Sequence, residues 1–297
     1  MNSTNECLYN NADKSGTCLP SKYIKLIAED LNVPPTIAAI KKETDCDLDS
    51  CILNKTSLDE VAIKKIELET LKPYTDSVDK NYWLNNTEID SCMIQFHDKF
   101  PGFGYSFIHM IDLKMFNPNN KEVLTYNVYP VTELDFGNEF NTRNDNNLIH
   151  TYNNEKLKSY GVIFNTDSSE GSGHHWFVIY ISTDQPSEVN PNKKRITIEL
   201  FNSSGYDISD DNFNIFWTKQ ALDIQKKTNQ ECIYKKVSNI KHQNDNTGNC
   251  GAYSLYYIWS RLKGRSPSYF DNDAASVKDE FITKFRSFLF RTENPIY

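Results

Sequence analysis

The stretch 243–264, QNDNTGNCGAYSLYYIWSRLKG, limits the fold of this chain more than any other. Beyond a polar run that ends at Asn249 and Cys250, apolar residues recur at helical intervals: Ala252, Leu255, Tyr256, Trp259 and Leu262. Tyr253, Tyr257 and Ile258 make the opposite side apolar as well, so this helix needs neighbours around most of its circumference. Arg261 and Lys263 suit a last turn, Gly264 a stop, and Pro267 prevents early resumption. A chain carrying such a helix must build a core around it. Cys250 then sits at the helix mouth, where unpaired N–H groups and the macrodipole favour a thiolate over a thiol. Two readings of Cys250 follow. It is either a small core residue opening a buried helix, as free cysteines commonly are, or a nucleophile.

Two strands supply the next constraint. Residues 177–181, FVIYI, are apolar throughout, and 195–201, RITIELF, alternate. A polar turn containing Pro186 and Pro191 separates them, close enough for antiparallel pairing. The start of the first strand then lies opposite the end of the second, which brings His175 and Asn202 to one rim of a sheet. A further strand over 161–165 runs into a Ser/Gly loop ahead of His174 and His175. Strands are also expected over 105–113, 123–128 and, at an edge, 232–237. Helices are expected over 213–226 and 274–291, and Asn86 is read as the cap of a helix carrying Ile89, Cys92, Met93 and Phe96. The Asn- and Asp-rich stretch 137–158 reads as a surface insertion.

Residues 1–75 form a separate helical arm in this reading, and 76–297 the main domain. Short amphipathic runs follow Ser21 and Pro35, and Ser57 with Glu60 makes a capping box before Val61, Ile63 and Ile66. The arm is either an accessory or substrate-docking module or a plain stabilising subdomain. A net charge of −8 argues against a chain that coats nucleic acid. No window has the length of an apolar membrane span, and the polar start MNSTNECLYNNADKSG lacks a signal-peptide core. The expectation is a protein that is not secreted, with its seven cysteines as reduced thiols and no disulfide framework. The cysteine spacings do not pair as zinc knuckles, and no Gly-rich nucleotide loop is present, so no metal or cofactor is expected.

A thiol at a helix start, a histidine at a strand edge and an amide opposite it fit Cys-His-Asn hydrolysis. The imidazole takes the thiol proton and later returns it, and the amide carbonyl holds the ring in the useful tautomer. Gln243, seven residues before Cys250, is placed to support a developing oxyanion with the Cys250 N–H. Asn244, one position nearer, competes for that role.

Trp83-Leu84-Asn85, then His175-Trp176 after the Ser/Gly loop, then Leu200-Phe201-Asn202-Ser203, then Gln243 and Asn249-Cys250-Gly251 occur in that order. Asn165-Thr166-Asp167 precedes the histidine. Over about 80–291 this series resembles the cysteine-protease superfamily that joins adenain, the adenovirus protease, with the SUMO-deconjugating proteases. Within it, the chain is most similar to maturation proteases of large DNA viruses. Asn202 stands where many members carry Asp, and the seven-residue offset of Gln243 resembles adenovirus-type members.

The resemblance implies an α+β, papain-like or adenain-type core: a mixed sheet flanked by helices, the nucleophile at the N-terminus of a buried helix, and a small helical N-terminal arm. It implies Cys250, His175, Asn202 and Gln243 as catalytic residues and Trp176, Asn249 and Gly251 along the substrate cleft. It also implies capsid and core precursors as protein substrates, cut at Gly-Gly-Xaa in the cytoplasmic virus factory and the virion. No metal or cofactor is implied; a peptide or nucleic-acid activator stays open. The same scaffold supports ubiquitin-like-modifier deconjugation, acetyl transfer and an inactive assembly role, which remain alternatives.

Overall fold

The structure, a computed structural model, describes residues 6–105, 109–110, 158–167, 171–186, 189–208, 211–271 and 277–292. The chain divides into two compact units, Met1–Tyr82 with Thr283–Tyr297, and Trp83–Ile282. The sequence reading assigned the whole C-terminal segment to the second domain; in the structure the division falls inside the last helix.

The first unit contains α1 (Ser21–Asp30), α2 (Ile37–Thr44), α3 (Asp49–Asn54) and α4 (Glu60–Thr70). Tyr23, Ile27, Ile40, Ile52, Leu53 and Ile66 close its core. Two disulfides, Cys7–Cys18 and Cys46–Cys51, correct the expectation of reduced thiols. Their Cα atoms are 5.0 and 5.7 Å apart, separations that sequence spacing does not disclose. The cap of α4 is Asp59, whose side chain accepts from the Ala62 N–H. Ser57 instead donates from its N–H and hydroxyl to Asp30.

The second unit is built on a mixed sheet: β1 (Phe103–Tyr105), β2 (His109–Met110), β3 (Ser159–Asn165), β4 (Trp176–Pro186), β5 (Lys194–Phe201) and β6 (Cys232–Lys236). The order is β1-β3-β4-β5-β6, with β2 also paired to β3. Strands β3, β4 and β5 run antiparallel in turn, while β1, β2 and β6 pair parallel at the two sides. Of the strand expected over 105–113, Tyr105 closes β1 and His109–Met110 form β2; 106–108 and 111–113 lie outside the described residues. The stretches 123–128 and 137–157 lie outside the described residues.

The continuous apolar character of β4 has a plain cause: both faces of the sheet are covered. On one side Phe164, Phe177, Ile179 and Ile198 pack against Phe213, Phe216 and Trp217 of α6 (Asp211–Thr228). On the other lies α7 (Cys250–Leu262), the helix read from 243–264, with residues 250–258 all buried. Its Tyr257 ring stacks on Phe201 at a centroid distance of 4.5 Å and an interplanar angle of 7°. Gly161 of β3 lets α7 come close, since a Cβ there would stand 3.2 Å from Ile258 Cδ1. Helix α5 (Asn86–Lys99) adds Phe96 against Trp259. Its cap is Asn85 rather than Asn86: the Asn85 side chain accepts from the Glu88 N–H while Glu88 accepts from the Asn85 N–H. The last helix, α8, covers Asp279–Leu289.

A charge pair crosses the α7 face. Glu199, in mid-β5, and Arg261, near the end of α7, are both fully buried and meet at 2.8 Å. Tyr257 Oη donates to the same Glu199 oxygen at 2.7 Å, and an Arg261 NH2 group donates to Ser182 Oγ of β4 at 3.2 Å. Removing one partner leaves the other as an uncompensated buried charge. Glu199→Leu is expected to lower unfolding free energy by about 3–5 kcal/mol in urea titrations. Adding Arg261→Met should restore much of that loss; a fully additive double variant would show that the pair is not coupled.

Candidate active site

The polar start of α7 is held in place by packing. A side chain at Gly251 would crowd its neighbours: a Cβ would lie 3.1 Å from Ile89 Cδ1, 3.2 Å from Trp176 Cδ1 and 3.3 Å from Leu84 Cβ. The close approach of Gly251 to Trp176 brings Cys250 and His175, one residue before each, to the same corner of the unit. Cys250 is 1% exposed and opens the helix, with Asn249 in the cap position. The helix N-terminus there favours negative charge on sulfur.

His175 precedes β4 and Asn202 follows β5, and the pairing Val178↔Phe201 brings the two ends together as the strand spacing predicts. His175 Nε2 lies 2.7 Å from Asn202 Oδ1. The Asn202 amide has one orientation that satisfies its neighbours: Nδ2 donates to the Tyr206 carbonyl, and Oδ1 accepts from the Ser204 N–H and hydroxyl. An oxygen facing Nε2 makes that nitrogen the donor, so the neutral ring has its lone pair on Nδ1. Burial pushes the imidazole below its ordinary pKa of 6.5, and the bond to Asn202 opposes this in part. His174, beside it, has a side chain that is 75% exposed.

Side chains bonded to backbone fix the loops that carry these groups. Asn165, 1% exposed at the end of β3, accepts from the N–H groups of Asp167 and His174. Asp167 accepts from the Gly173 N–H at 2.8 Å. Gly205 has φ +73°, and a Cβ on it would stand 2.8 Å from the backbone of Ile240 and Lys241, so the turn after Asn202 closes on the segment leading to Gln243. Gln243 donates from Nε2 to the Thr247 carbonyl at 2.6 Å and accepts from Ser203 Oγ at 2.9 Å. The Gln243 N–H donates to the Ser203 carbonyl. Asn244 is exposed, whereas the Gln243 amide is held between Ser203 and Thr247.

Of the residues expected along a substrate cleft, Asn249 is turned inward: it is 0% exposed and donates from Nδ2 to Asp279. Trp176 is 4% exposed, with its indole N–H donating to the Leu84 carbonyl at 3.0 Å. The Trp-Leu-Asn and His-Trp segments thus meet through that bond, while Trp83 remains 48% exposed. Two residues of the site escaped sequence reasoning. The bond from Ser203 to Gln243 spans forty residues, and Asp279 reaches Asn249 across thirty. No local pattern encodes either, although Ser203 stands in a segment already singled out.

One grouping among the described residues has the ligand types of a metal site, Glu6, Cys18 and Asp49. Cys18 is tied in a disulfide, and the carboxylates accept from Thr17, Ser50 and backbone N–H groups, which does not suit an ion. Among the described residues no helix is long and apolar enough to cross a membrane.

No family model matches the chain. It is 28% identical over 295 residues to the protein described as SUMO-1 cysteine protease of African swine fever virus, Warthog/Namibia isolate, covering 97% of this chain and 96% of that protein. The counterpart from the Badajoz strain, described as a cysteine protease, matches to the same extent. A crystal structure of the African swine fever virus protease superposes with a TM-score of 0.66 at 23% identity, over 98% of this chain and 97% of that one. The α+β fold is the fold of that protease. The chain is a homologue of these viral enzymes and is a cysteine protease.

With Cys250 replaced by Ala to remove thiol coupling, the His175 imidazolium should titrate below 6.5 by NMR. Asn202→Ala should move it lower still, because the lost bond favours the charged ring. A value above 6.5 in the first variant would contradict the desolvated setting.

Proposed function

We propose that this homologue of the African swine fever virus cysteine protease is a Cys-His-Asn endopeptidase that processes viral capsid and core precursors at Gly-Gly-Xaa sites. The observation that carries the reading is the 2.7 Å contact from His175 Nε2 to an Asn202 amide whose orientation Tyr206 and Ser204 set. It leaves Nδ1 as the base for the Cys250 thiol.

In this mechanism Nδ1 accepts the Sγ proton and the thiolate attacks the scissile carbonyl carbon. The carbonyl π-electrons move to oxygen, where the Cys250 N–H and the second Nε2 hydrogen of Gln243 stabilise the charge. Collapse of the intermediate breaks the C–N bond, and the imidazolium gives its proton to the leaving amine. Water, deprotonated by His175, then hydrolyses the thioester and restores the thiol. An enzyme acting on structural precursors would work in the host cytoplasm and the maturing particle.

A second reading, removal of a ubiquitin-like modifier, is favoured by the description of the relative as a SUMO-1 cysteine protease. Kinetics on short Gly-Gly peptides beside an intact SUMO fusion separate the two: the endopeptidase reading expects efficient peptide cleavage, and exclusive cleavage of the fusion would replace it.

Iodoacetamide at pH 6–7 should label Cys250 in preference to Cys92, whose thiol burial holds well above its ordinary range, and Cys232, pushed up to about 12. Mass spectrometry would locate the label, and His175→Ala should abolish the selectivity. Asn202→Ala should lower kcat by about 10²- to 10⁴-fold. Undiminished peptide cleavage by Cys250→Ala would overturn the proposal.

A further inference from the structure

We infer that Asp279 is a positioning residue for the oxyanion-binding loop; the inference rests on the triad reading above. Asp279 lies outside every motif the sequence offers, at the start of α8, and is 5% exposed. Both its oxygens are turned on the loop between Gln243 and Cys250. Oδ2 accepts from the Asn244 N–H at 2.8 Å, and Oδ1 accepts from Asn249 Nδ2 at 2.8 Å. The Thr247 hydroxyl shares its one proton between Asp279 Oδ1 at 3.1 Å and the Asn244 carbonyl at 3.2 Å.

These three donors bracket the loop. Asn244 follows the proposed side-chain oxyanion donor, and Asn249 precedes the residue whose N–H is the other. Thr247 joins them, since its carbonyl receives Gln243 Nε2. A hydrogen-bonded path therefore runs from Asp279 through Thr247 to the amide that faces the oxyanion.

The loop is polar and irregular, and inside it one long backbone bond runs from the Thr247 N–H to the Asn244 carbonyl, 3.3 Å. One carboxylate anchoring its beginning, middle and end sets the separation of Gln243 Nε2 from the Cys250 N–H. A carboxylate suits the place better than an amide, because all three partners are donors and an Asn would turn an NH₂ group on at least one. The first turn of α8 also favours negative charge. Tyr253 reinforces the arrangement: its hydroxyl lies 2.8 Å from the His242 carbonyl and 2.9 Å from that of Val277, joining α7 to both flanking segments.

Asp279→Ala, Asp279→Asn and Thr247→Val in the full chain test the assignment. The substrate is a Gly-Gly peptide, and the transition-state probe is a peptide aldehyde, whose hemithioacetal oxygen occupies the oxyanion position. Asp279→Ala is expected to lower kcat about 10- to 100-fold with KM within about twofold. Aldehyde affinity should fall in parallel with kcat/KM. The pH profile of Cys250 alkylation, which reports the Cys–His pair alone, should stay as in wild type. Asp279→Asn and Thr247→Val should show the same pattern with smaller losses, and they decide the question should the alanine variant not fold.

Unchanged kcat and aldehyde affinity in those two variants would overturn the assignment. So would loss of activity together with Cys250 alkylation and thermal stability, which would make Asp279 a general structural anchor. A wild-type Cys250 without selective alkylation overturns the triad reading itself, and is seen before any variant is made.

Discussion

The buried Glu199–Arg261 pair ties the helix that Cys250 opens to the sheet whose strand ends carry His175 and Asn202. Glu199 is two residues from Phe201 and three from Asn202, while Arg261 lies on α7 three turns beyond Cys250. Apolar packing between a helix and a sheet tolerates sliding and rotation, because dispersion contacts are non-directional. A charge pair that also engages Tyr257 and Ser182 does not: a shift along the helix would leave two desolvated charges apart. The Phe201–Tyr257 stack beside it fills the interface. Together they set how far the mouth of α7 stands from the end of β5, and thus the distance over which the site chemistry must work.

Finer placement comes from loops fixed by side chains that bond to backbone groups. Asn165 and Asp167 hold the segment before His175, Asn202 organises its own turn, and Asp279 gathers the loop before Cys250. Each is a short polar side chain whose oxygen accepts from N–H groups that no strand or helix pairs, the usual reason such residues occupy turns. Buried bonds of this kind cost about 1–3 kcal/mol when one member is removed. They also restrict the loops to a single arrangement, which a site needing sub-ångström alignment requires.

Much of this was legible in sequence because it depends on short-range pattern. The all-round apolar 250–262 segment demanded a buried helix, and the two strand patterns fixed a register that places His175 beside Asn202. The capping positions slipped by one or two residues, from Asn86 to Asn85 and from Ser57 to Asp59, since neighbouring polar residues compete for the same N–H groups. The cysteines of the first unit were misread because composition speaks to compartment and not to which sulfurs meet. Asn249 was assigned to a substrate cleft from its place next to Cys250, yet its amide is taken up by a carboxylate thirty residues away.

The sequence by itself determined the elements and the chemistry at their ends: a thiol opening a buried helix, an imidazole and an amide on one sheet rim, and the order in which they occur. Periodicity and strand pairing are local or nearly so, and hydrophobic burial follows from them. Only the tertiary structure decided which groups converge from a distance: Ser203 on Gln243, Leu84 on Trp176, Glu199 on Arg261, and Asp279 on the loop before Cys250. Those contacts depend on how elements pack in three dimensions. Directional bonds between residues thirty to more than ninety positions apart leave no periodic trace along the chain.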